Sequence, residues 1–589
     1  MAESLPAWDL SCLYSGIDDE RIKQDLDAVD AMVAQMNRLY LGKLATLDAD
    51  QWVQVFGLFE KMGFIEGRIG AFFVNITNTN LDSPQINSWK QGILERLNDI
   101  GKEEVAFSLE LQKLPRDYVD GILADKRLAR YGLVFEKALM KQPHALSEDL
   151  EKLDMDVGTV SGAGWSRFNK ELTTAHAVFE YRGKKVLLSD LAKLLESADK
   201  SERADAGQAQ GKVYKEQLWM NSLAYNMYVK GGLISCKWRK YPNYNTARNM
   251  SNLLDDGVVD ALASAVKTHG YPISREFYKA KARYLKDDDF TYWDRMAPLD
   301  FSGKPPPVYT WDQALETVCA CFKQFDPEFE EIVRDMIANK RVDAAPKKGK
   351  TAGAYSVSCN SKIPDFVLLN FKGTQNDIKT MAHEFGHTIH TYFVKREGEV
   401  LSNYGMALAE TASTFFETVM FQHLLKTTDD PLLRKTLIAE KLSDEVSTTM
   451  RQIAFYDFEL QAWAAREKAE LQPQELSAIY NRILSDYLGD AVKLDDTAND
   501  QWGFISHFFR PFYVYSYAFG LCLTNALFTV YKQGKVEGFA DLFKKLMRES
   551  GKEKPRDLVK LFGLDISDPS FWQMGLQPAK DLLDEFVRG

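Results

Sequence analysis

TQNDIKTMAHEFGHTIHTYF, running from Thr374 to Phe393, is the stretch from which both fold and chemistry can be read. Thr374 with Asp377 three positions later has the form of a capping box, so a helix is predicted to start there. His383 and His387 are four residues apart, which puts both imidazoles on one helix face, close enough to share one Zn²⁺. Glu384, beside the first of them, is left over from the ligand set and reads as the general base for an attacking water.

A catalytic zinc site of this kind needs a third protein ligand and an open fourth position. Downstream, MALAETASTFFETVMFQHLL reads as a second helix starting near Met406, with acidic residues at Glu410 and Glu417. Two helical turns separate them, so they share a face. An ionised carboxylate flanked by Ala, Phe, Val and Met is costly to bury without a metal or cation. Small residues follow Glu410 and allow close approach to the first helix, which makes it the expected third ligand. Glu417 is expected to accept the proton of a zinc-bound histidine's free ring nitrogen.

Upstream, AYSVSC (Ala354 to Cys359) and DFVLLNF (Asp365 to Phe371) are rich in β-branched and aromatic residues and read as a short hairpin. Its edge could take up an extended peptide as an added strand, or the hairpin could be purely structural. The loop before it, Ala344 to Gly353, contains Gly349, Lys350 and Thr351, but Ala344 stands where a phosphate-binding loop needs its first glycine. GKPPP, Gly303 to Pro307, is a second helix-breaking stretch.

Helical periodicity dominates elsewhere, as in IKQDLDAVDAMVAQMNRLYLGKL from Ile22, so the fold is predicted to be mainly α. With 589 residues, two lobes are expected: a helical lobe over 1–200 and a catalytic region over 201–589 with a β element near 352–372. A net charge of −11 argues against nucleic acid as a partner. The opening residues lack a basic region followed by an apolar stretch, and the apolar run Tyr513 to Val530 is interrupted by polar residues and fits a buried helix. A cytoplasmic protein without membrane contact is expected. The six cysteines are scattered and read as free thiols.

Beyond these motifs, WDLSCLY (Trp8 to Tyr14), YWDRMAPL (Tyr292 to Leu299), GAYS from Gly353, LAETASTFFE from Leu408 and SHFFRPFYVYSYAFG (Ser506 to Gly520) accompany MAHEFGHTIH and form a set with it. In that set the chain resembles the thimet-oligopeptidase-like zinc peptidases, the oligoendopeptidase F branch most of all. The resemblance implies a two-lobed all-α fold with a deep central channel, one zinc ion per chain on its floor, and short unstructured peptides as substrates. It also implies Glu410 as third ligand, and a transition-state role for His507 and one of Tyr513, Tyr515 and Tyr517. Gly353, Ala354 and Tyr355 would align the substrate backbone. An endopeptidase is the expected activity, the alternatives being a carboxypeptidase of the same family or a non-catalytic peptide-binding protein with structural zinc.

Overall fold

A computed structural model describes residues 5–304 and 307–588. Among the described residues helices predominate, as expected, with five short strands. Of GKPPP, Pro305 and Pro306 lie outside the described residues.

The chain forms two compact units, each assembled from three segments. One comprises Met1–Lys152, Lys304–Thr427 and Val530–Asp565; the other comprises Leu153–Gly303, Thr428–Thr529 and Ile566–Gly589. The expected boundary at residue 200 does not coincide with either. Residues on both sides of it pack together, because strand β1 (Phe179–Tyr181) and the helices Gly162–Lys170 and Leu188–Leu195 all lie on the long helix Lys200–Arg239. β1 pairs antiparallel with β2 (Lys184–Val186) across a two-residue turn, Arg182 and Gly183, both with positive φ. That is the turn a right-twisted hairpin favours.

In the first unit, β3 (Val342–Asp343), β4 (Tyr355–Val357) and β5 (Phe366–Leu368) form a sheet in the order β3-β5-β4. The predicted hairpin is β4 and β5, antiparallel with Tyr355 opposite Leu368. The parallel partner β3 was not anticipated. It leaves β5 central and fully buried, and β4 at an edge. The loop between β3 and β4 is tied down by Lys350, whose side chain is fully buried, with Nζ 2.5 Å from Asp343 Oδ1 and 2.9 Å from the Ala345 carbonyl. A lysine so committed is not available to a phosphate.

Helix α1 (Gln375–Lys395) begins at the predicted capping box: the Asp377 amide donates to Thr374 Oγ1 and the Thr374 amide to Asp377 Oδ2. Its buried face, including Met381, Ala382, Phe385, Ile389 and Phe393, packs on helix α2 (Thr411–Thr427). The two backbones come so near that a Cβ on Gly386 would stand 2.7 Å from Ser413 Cα. The second predicted helix is broken: Met406–Ala409 forms one turn, Glu410 leaves the helical path, and α2 starts at Thr411.

The apolar run after Tyr513 becomes helix α3 (Tyr515–Gln533). No helix among the described residues is long and apolar enough to cross a membrane. The six cysteines are free, four of them buried.

Candidate metal centre

The close approach at Gly386 brings α1's histidines to the break before α2. His383 Nε2 lies 3.3 Å and His387 Nε2 3.4 Å from the same oxygen, Glu410 Oε2. Ligand atoms of all three residues fall within 4.8 Å of one another, the one such group of three found among the described residues. A tetrahedral zinc with bonds of ~2.0–2.1 Å holds its ligand atoms about 3.3 Å apart, so the two imidazole–carboxylate separations fit such an ion. The set carries one negative charge when the rings are neutral, which suits a divalent cation.

Glu410's departure from the helix gives its carboxylate this position. Ser413 Oγ donates to Glu410 Oε2 at 2.9 Å, while the Glu410 carbonyl accepts from the Thr414 amide and opens α2. Burial opposes the charge on Glu410, but its contacts with His383 and His387 prevail and hold its pKa well below the usual carboxylate range. The other ring nitrogen of His383, Nδ1, faces Glu417 Oε2 at 3.3 Å. Burial disfavours a charged His383 ring, yet Glu410 and Glu417 together push its pKa up to about 10.

Glu384 is 6% exposed, and its Oε2 has no hydrogen-bond partner among the described residues. Burial raises its pKa, with the Glu410 charge adding to the rise; the two histidines and the Ser356 amide act the other way. An unpaired buried acceptor costs free energy unless something fills its coordination. Beside a water-activating metal, it is the atom a general base would present.

Sequence reading missed the polar chain that ties α1 to the sheet. Ser356 Oγ on β4 donates to Asp365 Oδ2 and meets Thr388 Oγ1, both at 3.3 Å, and Thr388 Oγ1 donates to the Glu384 carbonyl. Asp365 is fully enclosed, and burial pushes its pKa up to about 7. Of the three residues expected to align a substrate, only Tyr355 lies in the edge strand. Its hydroxyl donates to Asn75 Oδ1, and Asn370 donates to the Gly353 carbonyl. Gly353 has φ +82°, a conformation that favours glycine. His390 is buried against Ser550 Oγ at 2.9 Å and stacks on Tyr404 at 4.2 Å, in keeping with a packing role.

His507 and the three tyrosines belong to the second unit. His507 Nε2 is 3.3 Å from the Tyr517 hydroxyl, and the Tyr513 ring lies 5.2 Å from Tyr517. Tyr515 is set apart from them: it is fully buried, and its hydroxyl accepts from Asn252 Nδ2 at 2.8 Å. Tyr513 and Tyr517 are partly exposed beside His507.

Residues 193–578 match the family described as peptidase family M3, and residues 110–176 match the one described as oligopeptidase F. Oligopeptidase PepF of Bacillus subtilis is 25% identical over 98% of this chain and 86% of its own length. An oligoendopeptidase F homolog of Borreliella burgdorferi is 25% identical over 99% and 98%. Among solved structures, a putative peptidase from Chlamydophila abortus aligns with a TM-score of 0.82 at 21% identity, over 99% of this chain and 98% of that one. Oligoendopeptidase-F from Enterococcus faecium aligns at 0.71 and 20% identity, over 96% of each.

Proposed function

The chain belongs to peptidase family M3, and from that premise we propose that it is a zinc-dependent oligoendopeptidase that cuts internal bonds of short, unstructured peptides. The observation that carries this reading is the convergence of His383, His387 and Glu410 beside the unpaired Glu384 oxygen. One zinc ion per chain would be held by His383 Nε2, His387 Nε2 and a Glu410 carboxylate oxygen; when bound, it supplies a Lewis acid for the scissile carbonyl. Three protein ligands leave a position for chemistry, whereas a structural zinc site is closed by a fourth.

Glu384 takes a proton from the attacking water onto its carboxylate and passes it to the leaving amine. The carbonyl carbon gains the water oxygen, the C–N bond breaks, and Glu384 ends as it began. His507 and a hydroxyl of Tyr513 or Tyr517 stabilise the oxyanion. The edge of β4 aligns the peptide backbone. Free thiols, mostly buried, support residence in a reducing cytoplasm.

Mass spectrometry of products from a peptide blocked at both ends tests the endopeptidase reading. Internal cuts are expected; trimming only of peptides with a free C-terminus would assign the chain to carboxypeptidases. Glu417→Gln keeps the shape of the group facing His383 Nδ1 but not its charge. Its zinc affinity, measured by competition with a chelator, is expected to fall roughly 10- to 100-fold. An unchanged affinity would remove Glu417 from the metal centre.

A further inference from the structure

Outside the donor set, the most unusual backbone close to a proposed functional residue follows His507. Phe512 is a buried aromatic residue with φ +54°, the left-handed region that bulky side chains seldom enter without strong support. Two side chains supply that support. Glu459 Oε1 accepts the Phe512 amide at 2.9 Å, and Arg248 Nε donates to the preceding carbonyl, of Pro511, at 3.1 Å. The Phe512 ring packs 5.0 Å from Trp463 and 6.1 Å from Tyr456.

Glu459 is itself anomalous. It lies in the interior of helix Arg451–Lys468, fully buried, where its helix makes no use of a carboxyl group. Burying such a group is costly unless its hydrogen bonds matter. Its Oε1 accepts the Phe512 amide, and its Oε2 has no partner among the described residues.

The supported turn sets the side chains around it. Arg510 N–H donates to the His507 carbonyl and Tyr513 N–H to the Arg510 carbonyl, so Phe512 lies within a tight return of the chain from His507 to Tyr513. The Tyr513 ring is then near-parallel to His507 at 6.4 Å and lies under the Arg248 guanidinium at 5.7 Å. A change of φ at Phe512 from left-handed to extended would redirect Tyr513 and uncouple it from His507.

We infer that Glu459 is a positioning residue of this peptidase: by accepting the Phe512 amide it fixes the left-handed turn that sets Tyr513 against His507. The inference rests on the reading of His507 and Tyr513 or Tyr517 as partners of the oxyanion. Burial, opposed by the Phe512 amide and by Arg248, holds the Glu459 pKa well above the carboxylate range. Glutamine keeps a carbonyl oxygen at the same reach and is its near isostere.

The test compares Glu459→Gln with Glu459→Asp in the full-length, zinc-loaded protein, reading kcat, KM and zinc content. Gln keeps an acceptor at the same reach, whereas Asp keeps the carboxyl but withdraws it by one methylene. Misplacing a catalytic group by about 1 Å can cost ~100-fold; Asp is expected to lower kcat by roughly 10- to 100-fold with KM and zinc content unchanged, and Gln to stay within about threefold of the parent. Equal kcat for Asp and the parent, or a Gln variant as impaired as Asp, would overturn the inference. His507→Ala is run beside them. Full activity in that variant would overturn the underlying site reading, whereas an impaired His507→Ala beside a fully active Glu459→Asp isolates the failure to Glu459.

Discussion

Glu384→Gln is expected to retain its zinc and lose peptidase activity by a factor of roughly 10² to 10⁴ in kcat. The substitution preserves the shape of a side chain that is almost fully buried, so packing around α1 should persist. What it removes is the ability of Oε2, unpaired among the described residues, to take a proton and return it. The expected signature is therefore a fall in kcat with little change in KM and an unchanged metal content. A fall in zinc content would instead mean that Glu384 is a ligand. Undiminished turnover would mean that the proton goes elsewhere.

Glu410→Ala should fail in a different way. Its Oε2 is the atom that both His383 and His387 approach, and it supplies the only negative charge of the three-residue donor set. Two neutral imidazoles would remain, a poor site for Zn²⁺. Zinc should be lost on dialysis. Activity should fall with it by several kcal/mol of transition-state stabilisation, on the order of 10³-fold or more. Metal analysis beside kcat/KM distinguishes the two variants: Glu384→Gln keeps zinc without turnover, and Glu410→Ala loses both. A Glu410→Ala protein that kept one zinc and full activity would require a different third ligand.

The parts of this site that were legible in the sequence are those encoded by local signals. Thr374 and Asp377 cap the helix they precede, and the spacing of His383 and His387 fixes their shared face whatever surrounds them. The β4–β5 hairpin was legible because its residues alternate with turn formers. The parallel pairing of β3 was not: two residues, Val342 and Asp343, carry no strand signal, and their partners lie more than twenty positions away.

The break at Glu410 was also hidden, because ALAETAST has no proline or glycine to announce it. It depends on where a carboxylate meets the hydroxyl of Ser413 and two imidazoles from another helix. Tyr515 could not be told from Tyr513 and Tyr517 for a related reason. What separates it is Asn252, a residue 263 positions earlier. The expected boundary near residue 200 failed to match because chain continuity is a poor guide when each unit is built from three separate segments. The turn at Arg182 and Gly183 was hidden too, because arginine is not among the residues that announce a two-residue hairpin turn.

The most direct test of the central claim is a titration of zinc into the chelator-stripped protein while cleavage of an internally quenched peptide is followed. Activity should be absent at the start, rise in proportion to added zinc, and level off at one equivalent per chain. Cleavage that persists in the stripped protein, or one equivalent of zinc bound with no cleavage, would contradict it.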